Sequence, residues 1–529
     1  MILISALSFV LFCLNSLVGY ILYPKDLCFG AMNQPFQITL GIVSTCSLLL
    51  FIACFTAVTP LIGTLLYLAL FVYCLKSGLL KQWWYKTQSE LPWLCIASIA
   101  SSIVTLLPLS WSDTHYYHYP LLKWISSYGI VQGIGLIDPT YSHSAGWFAL
   151  FAPFDTGIFS DRLGTAGGAL TLGLFLYSVC RLPHRILGMG AFLILTILGM
   201  THNIFASLSP DPFAQWIGLL CISLWIYPNN QRQIQEKVIL VLLALSICIR
   251  VTLLPVFLLF TFWYIFNHRL KNPVFLFWIV ILLIPAVYST FLSSGCPLYP
   301  LPWFCADWGV KSSGAYAMQM HIREIVIWCD KIPIDSAPAL SWIPDWFFCE
   351  YNQIPTGLLI LGIVVLPYRR MESKDLQALF CSLVMVVFML LTAPALRYGA
   401  IWFMAPFLIA LQLRININSS ILTYKTSIAL LILTVFMFWN FPPLHENLFR
   451  IQNPKINSLP WLVPNKALDF LEPSDLRDYL WNSFKVNSPW LHNNAPRCSS
   501  LPPPCANPES LNHLRPINPN HLMGFQSKE

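Results

Sequence analysis

The sequence predicts an all-α fold, a polytopic transmembrane helical bundle of about a dozen spans plus one re-entrant helical hairpin. Three observations predict it. Of 529 residues, 57% are apolar and 10% charged, with a mean hydropathy of +0.64, against roughly 25% charged in soluble domains. Apolar runs of bilayer length recur along the chain, broken by short polar turns. Lys and Arg concentrate in alternate turns, as they do where basic loops stay cytoplasmic. A hydrocarbon core about 30 Å thick takes about 20 residues of helix. Lipid offers no water to open backbone groups, so spans are helices or a closed barrel, and the absence of strict alternation selects helices.

In chain order the spans are expected near 2–23, 36–57, 60–76, 93–110, 163–180, 186–203, 213–228, 274–293, 355–368, 377–392, 398–413 and 421–441. The first has no basic n-region and exceeds a signal-peptide core, so it reads as a retained span. Lys76, Lys81, Lys86, Arg181, Arg185, Arg232, Lys237, Arg269, Lys271, Arg369, Arg370, Lys374, Arg414 and Lys425 mark one set of loops as cytoplasmic. Two long loops, 111–162 and 294–353, then face the other side. The chain divides into N-terminal helices (1–92), a transmembrane core (93–441) bearing both outer loops, and a non-cytoplasmic tail (442–529). The tail is rich in Pro and Asn and is expected to be partly disordered. The net charge of +7 follows from topology and forms no coherent basic face, so no nucleic-acid partner is expected. Neither internal repeats nor heptads occur.

Most of the 16 cysteines fall in expected spans, as small buried hydrophobes. Cys296, Cys305, Cys329 and Cys349 share one outer loop, and Cys498 and Cys505 share the tail, where an oxidising compartment allows disulfides. Spacing leaves the pairing open. Cys498 and Cys505 with His492 lack a CxxC partner, so no metal is expected there.

The residues that carry chemistry lie at the outer ends of spans. Asp113, His115, Tyr116 and His118 follow a span directly, within Trp111–Pro120. A carboxylate flanked by imidazoles and phenols is a candidate general base with neighbours that tune it. An aromatic belt accounts for the Trp and Tyr residues but not for Asp113, His115 and His118. Residues 121–128 read as a short interfacial helix, followed by a glycine-bearing turn and Tyr141–Trp147 as a rim over an outer cavity. No strand and helix flank those glycines, so they do not form a phosphate loop. Asp211, in Ser209–Pro212, is by default a helix N-cap, on the same side as Asp113.

The 238–266 stretch is flanked by basic residues at both ends, so it enters and leaves on one side, as a hairpin with Arg250 near its tip at mid-bilayer depth. An arginine there faces a wet cavity or an anion, and guanidinium matches a phosphate in bidentate fashion. One long tilted span with Arg250 snorkelling or paired internally is the alternative. Arg397, beside Tyr398 in a short outer loop, breaks the positive-inside trend and pairs either with Asp113 or Asp211 or with a ligand phosphate.

Taken together, Asp113–Tyr128 with Gly129-Ile130-Val131, Gly295–Pro300 with Asp307-Trp308, and Pro394 with Arg397-Tyr398 resemble the GT-C superfamily of polytopic glycosyltransferases. The similarity spans about 90–415 and is closest to a group of uncharacterised bacterial membrane proteins. It implies a polyprenyl-phosphate-linked sugar as donor, a glycan or lipid acceptor, surrounding membrane lipid, and a bacterial inner membrane with the active face outward. It also implies Asp113 as base, helped by His115 or His118, with Asp211, Arg250, Arg397, Tyr398 and Tyr116 binding substrate and no cofactor required. The tandem acidic pair of that superfamily is missing, since Thr114 follows Asp113. An envelope oligosaccharide polymerase or ligase is a second reading. It would share the lipid-linked substrate and rely on basic and His residues of an outer loop, which 294–353 supplies through Lys311, His321 and Arg323. A lipid or polysaccharide transporter is the remaining alternative, although related halves are not evident.

Overall fold

The computed structural model describes residues 1–23, 32–106, 113–143, 145–182, 186–202, 204–227, 231–268, 273–301, 303–310, 342–348, 352–392, 395–414, 476–481, 484–489, 514–518 and 521–527. Up to residue 414 the described regular structure is helical. Helices α1 (Ile2–Leu22) and α2 (Asn33–Ala53) form the first pair, followed by α3 (Pro60–Lys76), α4 (Leu79–Thr87) and α5 (Leu91–Ser101). The segment between α5 and the next long helix contributes α6 (Tyr119–Tyr128) and α7 (Gly146–Phe151). Then come α8 (Ala166–Arg181), α9 (Ile186–His202), α10 (Asp211–Ile226), α11 (Arg232–Ser246), α12 (Leu254–His268) and α13 (Pro273–Ser294). The last four are α14 (Trp342–Phe348), α15 (Gln353–Val365), α16 (Ser373–Thr392) and α17 (Leu396–Arg414).

Six described segments are long and apolar enough to cross a membrane: α1, α2, Val251–His268, α13, α16 and Leu396–Leu413. The α3–α4 pair, bent by 95°, brings the number to seven if it is counted as one span. The bend falls at Gly78, whose φ of +70° suits a residue without Cβ. Shorter apolar helices lie at Leu91–Thr105, Ala166–Arg181, Ile186–Leu198, Asp211–Ile226 and Gln353–Val365. The expected span near 93–110 changes to a 3-10 turn at Ser102–Leu106, where Ser101, Ser102 and Thr105 hydroxyls donate to carbonyls three residues back. The expected span 421–441 lies outside the described residues.

Close helix contact rests on small residues, as in other membrane bundles. A Cβ on Gly19 would meet the Gln37 carbonyl, and one on Gly41 the Asn15 carbonyl, so α1 and α2 touch backbone to backbone. Polar side chains add hydrogen bonds: Gln34 donates to Ser16, Thr45 to Asn15, and Trp83 to Ser16. Helix α10 is buried along its whole length, with α8 and α17 against it. Leu61, Leu65, Phe262, Phe266, Phe277, Trp278, Phe380 and Val387 are exposed on α3, α12, α13 and α16. That outward apolar surface is what a lipid-facing helix presents.

Helices α11 and α12 fold back on one another. Glu236, in the second turn of α11, meets His268, the last residue of α12, at 2.8 Å. The two helices form a hairpin with Arg250 in extended conformation (φ −151°, ψ 117°) at its tip, and the second arm, Val251–His268, has the length of a full span where half-length arms were expected. The tip meets the segment that carries α6 and α7, since Gly146 N–H donates to the Cys248 carbonyl at 2.9 Å.

Two antiparallel hairpins occur in the tail, β1 (Leu476–Trp481) with β2 (Phe484–Pro489) and β3 (Leu514–Asn518) with β4 (His521–Ser527). They are confined to the tail, and the all-α expectation holds for the described residues up to 414. Phe525 of β4 is buried, packs against Trp124, and donates its N–H to the Gln132 carbonyl. Helix α6, read as interfacial from sequence, thus buries its apolar residues in protein rather than lipid.

Candidate functional site

Four charged residues from four separate segments converge where the hairpin tip meets the N-terminal ends of α10 and α17. Asp211 opens α10, and its Oδ1 lies 2.6 Å from Arg250 Nε. Arg397, in the first turn of α17, reaches Asp113 Oδ2 with Nη1 at 3.0 Å and Asp211 Oδ2 with Nε at 3.9 Å. Asp211 is thus no N-cap: its carboxylate faces two guanidiniums and also accepts from the Ser209 hydroxyl at 3.1 Å.

The placement has local causes. Gln215 sits one turn beyond Asp211 on the same face of α10. Its side chain donates to the Arg397 carbonyl at 3.0 Å and accepts from the Ile401 N–H at 2.9 Å. Helix α10 therefore fixes the turn that carries Arg397. Thr114 Oγ1 accepts from the Leu208 N–H at 3.2 Å, which ties the Asp113 segment to the approach to α10. The residue that departs from the tandem acidic pattern is a fastening point.

Tyr398 lies between the two arginines, with Arg250 Cζ 5.0 Å and Arg397 Cζ 4.7 Å from its ring centroid. An aromatic face attracts each cation and separates two like charges. With two carboxylates and two guanidiniums the cluster is formally neutral. Asp113 is its open edge: its side chain keeps 23% exposure, against 10%, 3% and 12% for Arg397, Asp211 and Arg250.

Residues Thr114–His118 form a π-helical turn, a geometry concentrated at functional sites. His118 is buried, stacked on Phe148 with ring centroids 5.2 Å apart and edge-on to Tyr117 at 4.3 Å. Burial pushes its imidazole down to about 3, with Arg250 and Arg397 adding to the fall and Asp113 opposing it. His143 is shifted to the same level by burial first and then by Arg250. Neither His143 nor Gln215 was singled out from sequence as a site residue. The i,i+4 spacing from Asp211 was the available signal for Gln215.

The side chains of His115 and Tyr116 lie outside what is described, as do Trp111, Lys311, His321 and Arg323. Of the outer cysteines, Cys296 and Cys305 form a disulfide, while Cys329, Cys349, Cys498 and Cys505 lie outside the described residues. Among the described residues, no three His, Cys, Asp or Glu side chains group as metal ligands.

The family model described as Domain of unknown function (DUF8201) matches residues 1–404, and the chain belongs to that family. The match includes Asp113, Asp211, Arg250 and Arg397. No curated protein and no solved structure matches significantly.

Proposed function

We propose that the chain is a membrane glycosyltransferase that moves a sugar from a polyprenyl-phosphate-linked donor to a glycan or lipid acceptor at the non-cytoplasmic face of a bacterial inner membrane. The observation that carries this reading is the convergence of Asp113, Asp211, Arg250 and Arg397, because a base and an anion clamp must reach one reacting centre. The GT-C-like topology of about twelve spans with a re-entrant α11–α12 hairpin belongs to the same reading. The Cys296–Cys305 disulfide supports an oxidising, outward side for the loop after α13.

In this scheme Asp113 accepts the proton of the acceptor hydroxyl as its oxygen attacks the anomeric carbon. The bond from that carbon to the phosphate oxygen breaks, and the electron pair leaves with the polyprenyl phosphate. Arg397 and Arg250 receive the phosphate charge, each presenting a planar donor fork. Arg397 then exchanges its contact with Asp113 for the phosphate, so donor binding frees the base at the open edge. Asp211 holds both guanidiniums in register throughout. A divalent metal is not used in the scheme as drawn.

The test is transfer by the purified chain in lipid nanodiscs, supplied with labelled polyprenyl-phosphate sugars. Label moves to the acceptor with the natural chain, and Asp113→Asn lowers the rate by about a thousandfold. Undiminished transfer in that variant would remove Asp113 as base. Arg250→Ala is expected to weaken donor binding, and an unchanged donor KM would remove the phosphate role. After reduction, the partly exposed Cys305 is expected to take up a membrane-impermeant maleimide from the outer face of intact cells. Labelling only in inverted vesicles overturns the orientation.

A further inference from the structure

Beside the charged cluster lies a set of rings that the transfer scheme does not use. Among the described residues, neither ring nitrogen of His118 has a hydrogen-bond partner, although the residue is 1% exposed. Tyr117, edge-on to His118, lies 6.0 Å from His143, and His143 lies 5.6 Å from Tyr299, ring centroid to centroid. The Tyr299 hydroxyl is also buried without a partner among the described residues. The disulfide loop Cys296–Cys305 carries Tyr299, so two outer loops contribute to one ring cluster.

As a packing element alone, His118 is a poor choice. Phenylalanine would stack on Phe148 equally well and carry no desolvation cost. Buried polar groups are nearly always satisfied, and the exceptions mark a ligand or a catalytic role. Asp113, Arg250 and Arg397 all act electrostatically on His118 and His143, so the rings flank the same centre.

The chemistry narrows the ligand. An anion is served by Arg250 and Arg397, and a cation by Asp113. What remains is a dry wall of neutral rings. Burial keeps both imidazoles uncharged near neutral pH, so each offers one donor and one acceptor. Apolar ring faces carrying a few neutral donors and acceptors suit a compact molecule with adjacent hydroxyls.

We infer that His118, His143 and Tyr117 form the binding subsite for the monosaccharide being transferred, with His118 as its principal hydroxyl contact. The identification of the sugar as a transferred one rests on the glycosyltransferase reading; monosaccharide binding at these rings does not.

The test is saturation-transfer NMR on the full chain in nanodiscs, with methyl glycosides of glucose, galactose, mannose, N-acetylglucosamine and N-acetylgalactosamine as probes. At least one glycoside receives saturation from the natural chain. His118→Phe weakens its binding by about fivefold, the loss of one neutral hydrogen bond. His118→Gln, which keeps a donor and an acceptor, recovers part of that loss, and Glu236→Gln, at the other end of the hairpin, leaves binding unchanged. If His118→Phe fails to fold, Tyr117→Phe, which removes one hydroxyl, and His143→Phe give the same readout. Absence of binding to the natural chain, or equal binding by a folded His118→Phe, overturns the subsite. Glycoside binding lost in His118→Phe without transfer from any polyprenyl-phosphate sugar upholds the subsite and overturns the transferase reading. Transfer with an unaltered donor KM in His118→Phe upholds the transferase and overturns the subsite.

Discussion

The α11–α12 hairpin carries a carboxylate among cations at both of its ends, and the two clusters are built differently. At the base, Glu236 accepts from Arg232 Nε at 2.8 Å, one helical turn away, and pairs with His268 at 2.8 Å. Arg232 also donates to the Trp225 carbonyl at 2.6 Å and lies 4.2 Å above the Trp225 ring. These hydrogen-bond and ring partners belong to the hairpin or to the adjoining end of α10. At the tip, Arg250 meets Asp211 across separate helices, and Arg397 reaches an aspartate 284 residues away in sequence. The base is a local clasp with backbone anchoring. The tip is a meeting point of side chains, and side-chain pairs can exchange for a ligand without unfolding a helix.

The sharpest way to break this contrast is Asp113→Asn, expected to lower transfer by about a thousandfold with little change in thermal midpoint. A large loss of stability instead would make the tip a clasp as well. Next in size, Arg250→Ala leaves Asp211 buried with its nearest cation removed, a change that costs about 3 kcal/mol. It reads out as a lower thermal midpoint in nanodiscs. A midpoint unchanged by this variant would mean that Arg397 alone satisfies Asp211.

A third measurement compares the ends by pH. The folded His118 imidazole titrates near 3, whereas its unfolded value is about 6.5. The unfolded chain therefore binds the extra proton first as pH falls. The stability from keeping His118 neutral is complete above about pH 6.5 and is lost as pH drops toward 3, by about 1.4 kcal/mol per unit. His118→Phe is expected to flatten that slope, and an unaltered slope would place the titrating group elsewhere. The smallest effect belongs to the base: Glu236→Gln keeps a hydrogen-bond acceptor for Arg232 and costs about 1 kcal/mol, with kcat unchanged. A fall in kcat there would show that the clasp sets the tip.

Much of this architecture was legible because charges are rare in the chain. Arg250, Arg397, Asp113 and Asp211 each stand out against apolar neighbours, and the basic flanks of 238–266 pointed to a chain that returns to its starting side. The pairing of Arg397 with Asp113 and Asp211 was legible too, because a cation that breaks the positive-inside trend calls for an anion, whereas nothing local connects Asp211 to Arg250. His143 was missed for a related reason: among Ser and Tyr in a loop, a histidine shows no partner until Tyr117 and Tyr299 arrive from elsewhere. What the tip touches escaped, since arm length says nothing of it; the bond from Gly146 to Cys248 shows that contact. The π-helical turn at Thr114–His118 left no sequence period, and neither did the pairing of Cys296 with Cys305 within a loop that holds four cysteines.

The contact of Phe525 with Gln132 and Trp124 bears on the order of assembly. Gly133, at φ +69°, leaves room for the Phe525 carbonyl, where any side chain would collide. The glycine turn is synthesised early, and the residue that covers it emerges after every described helix. That turn is therefore covered only after the tail has been made. A chain ending before Phe525 lacks this cover over Trp124 and the Gln132 carbonyl.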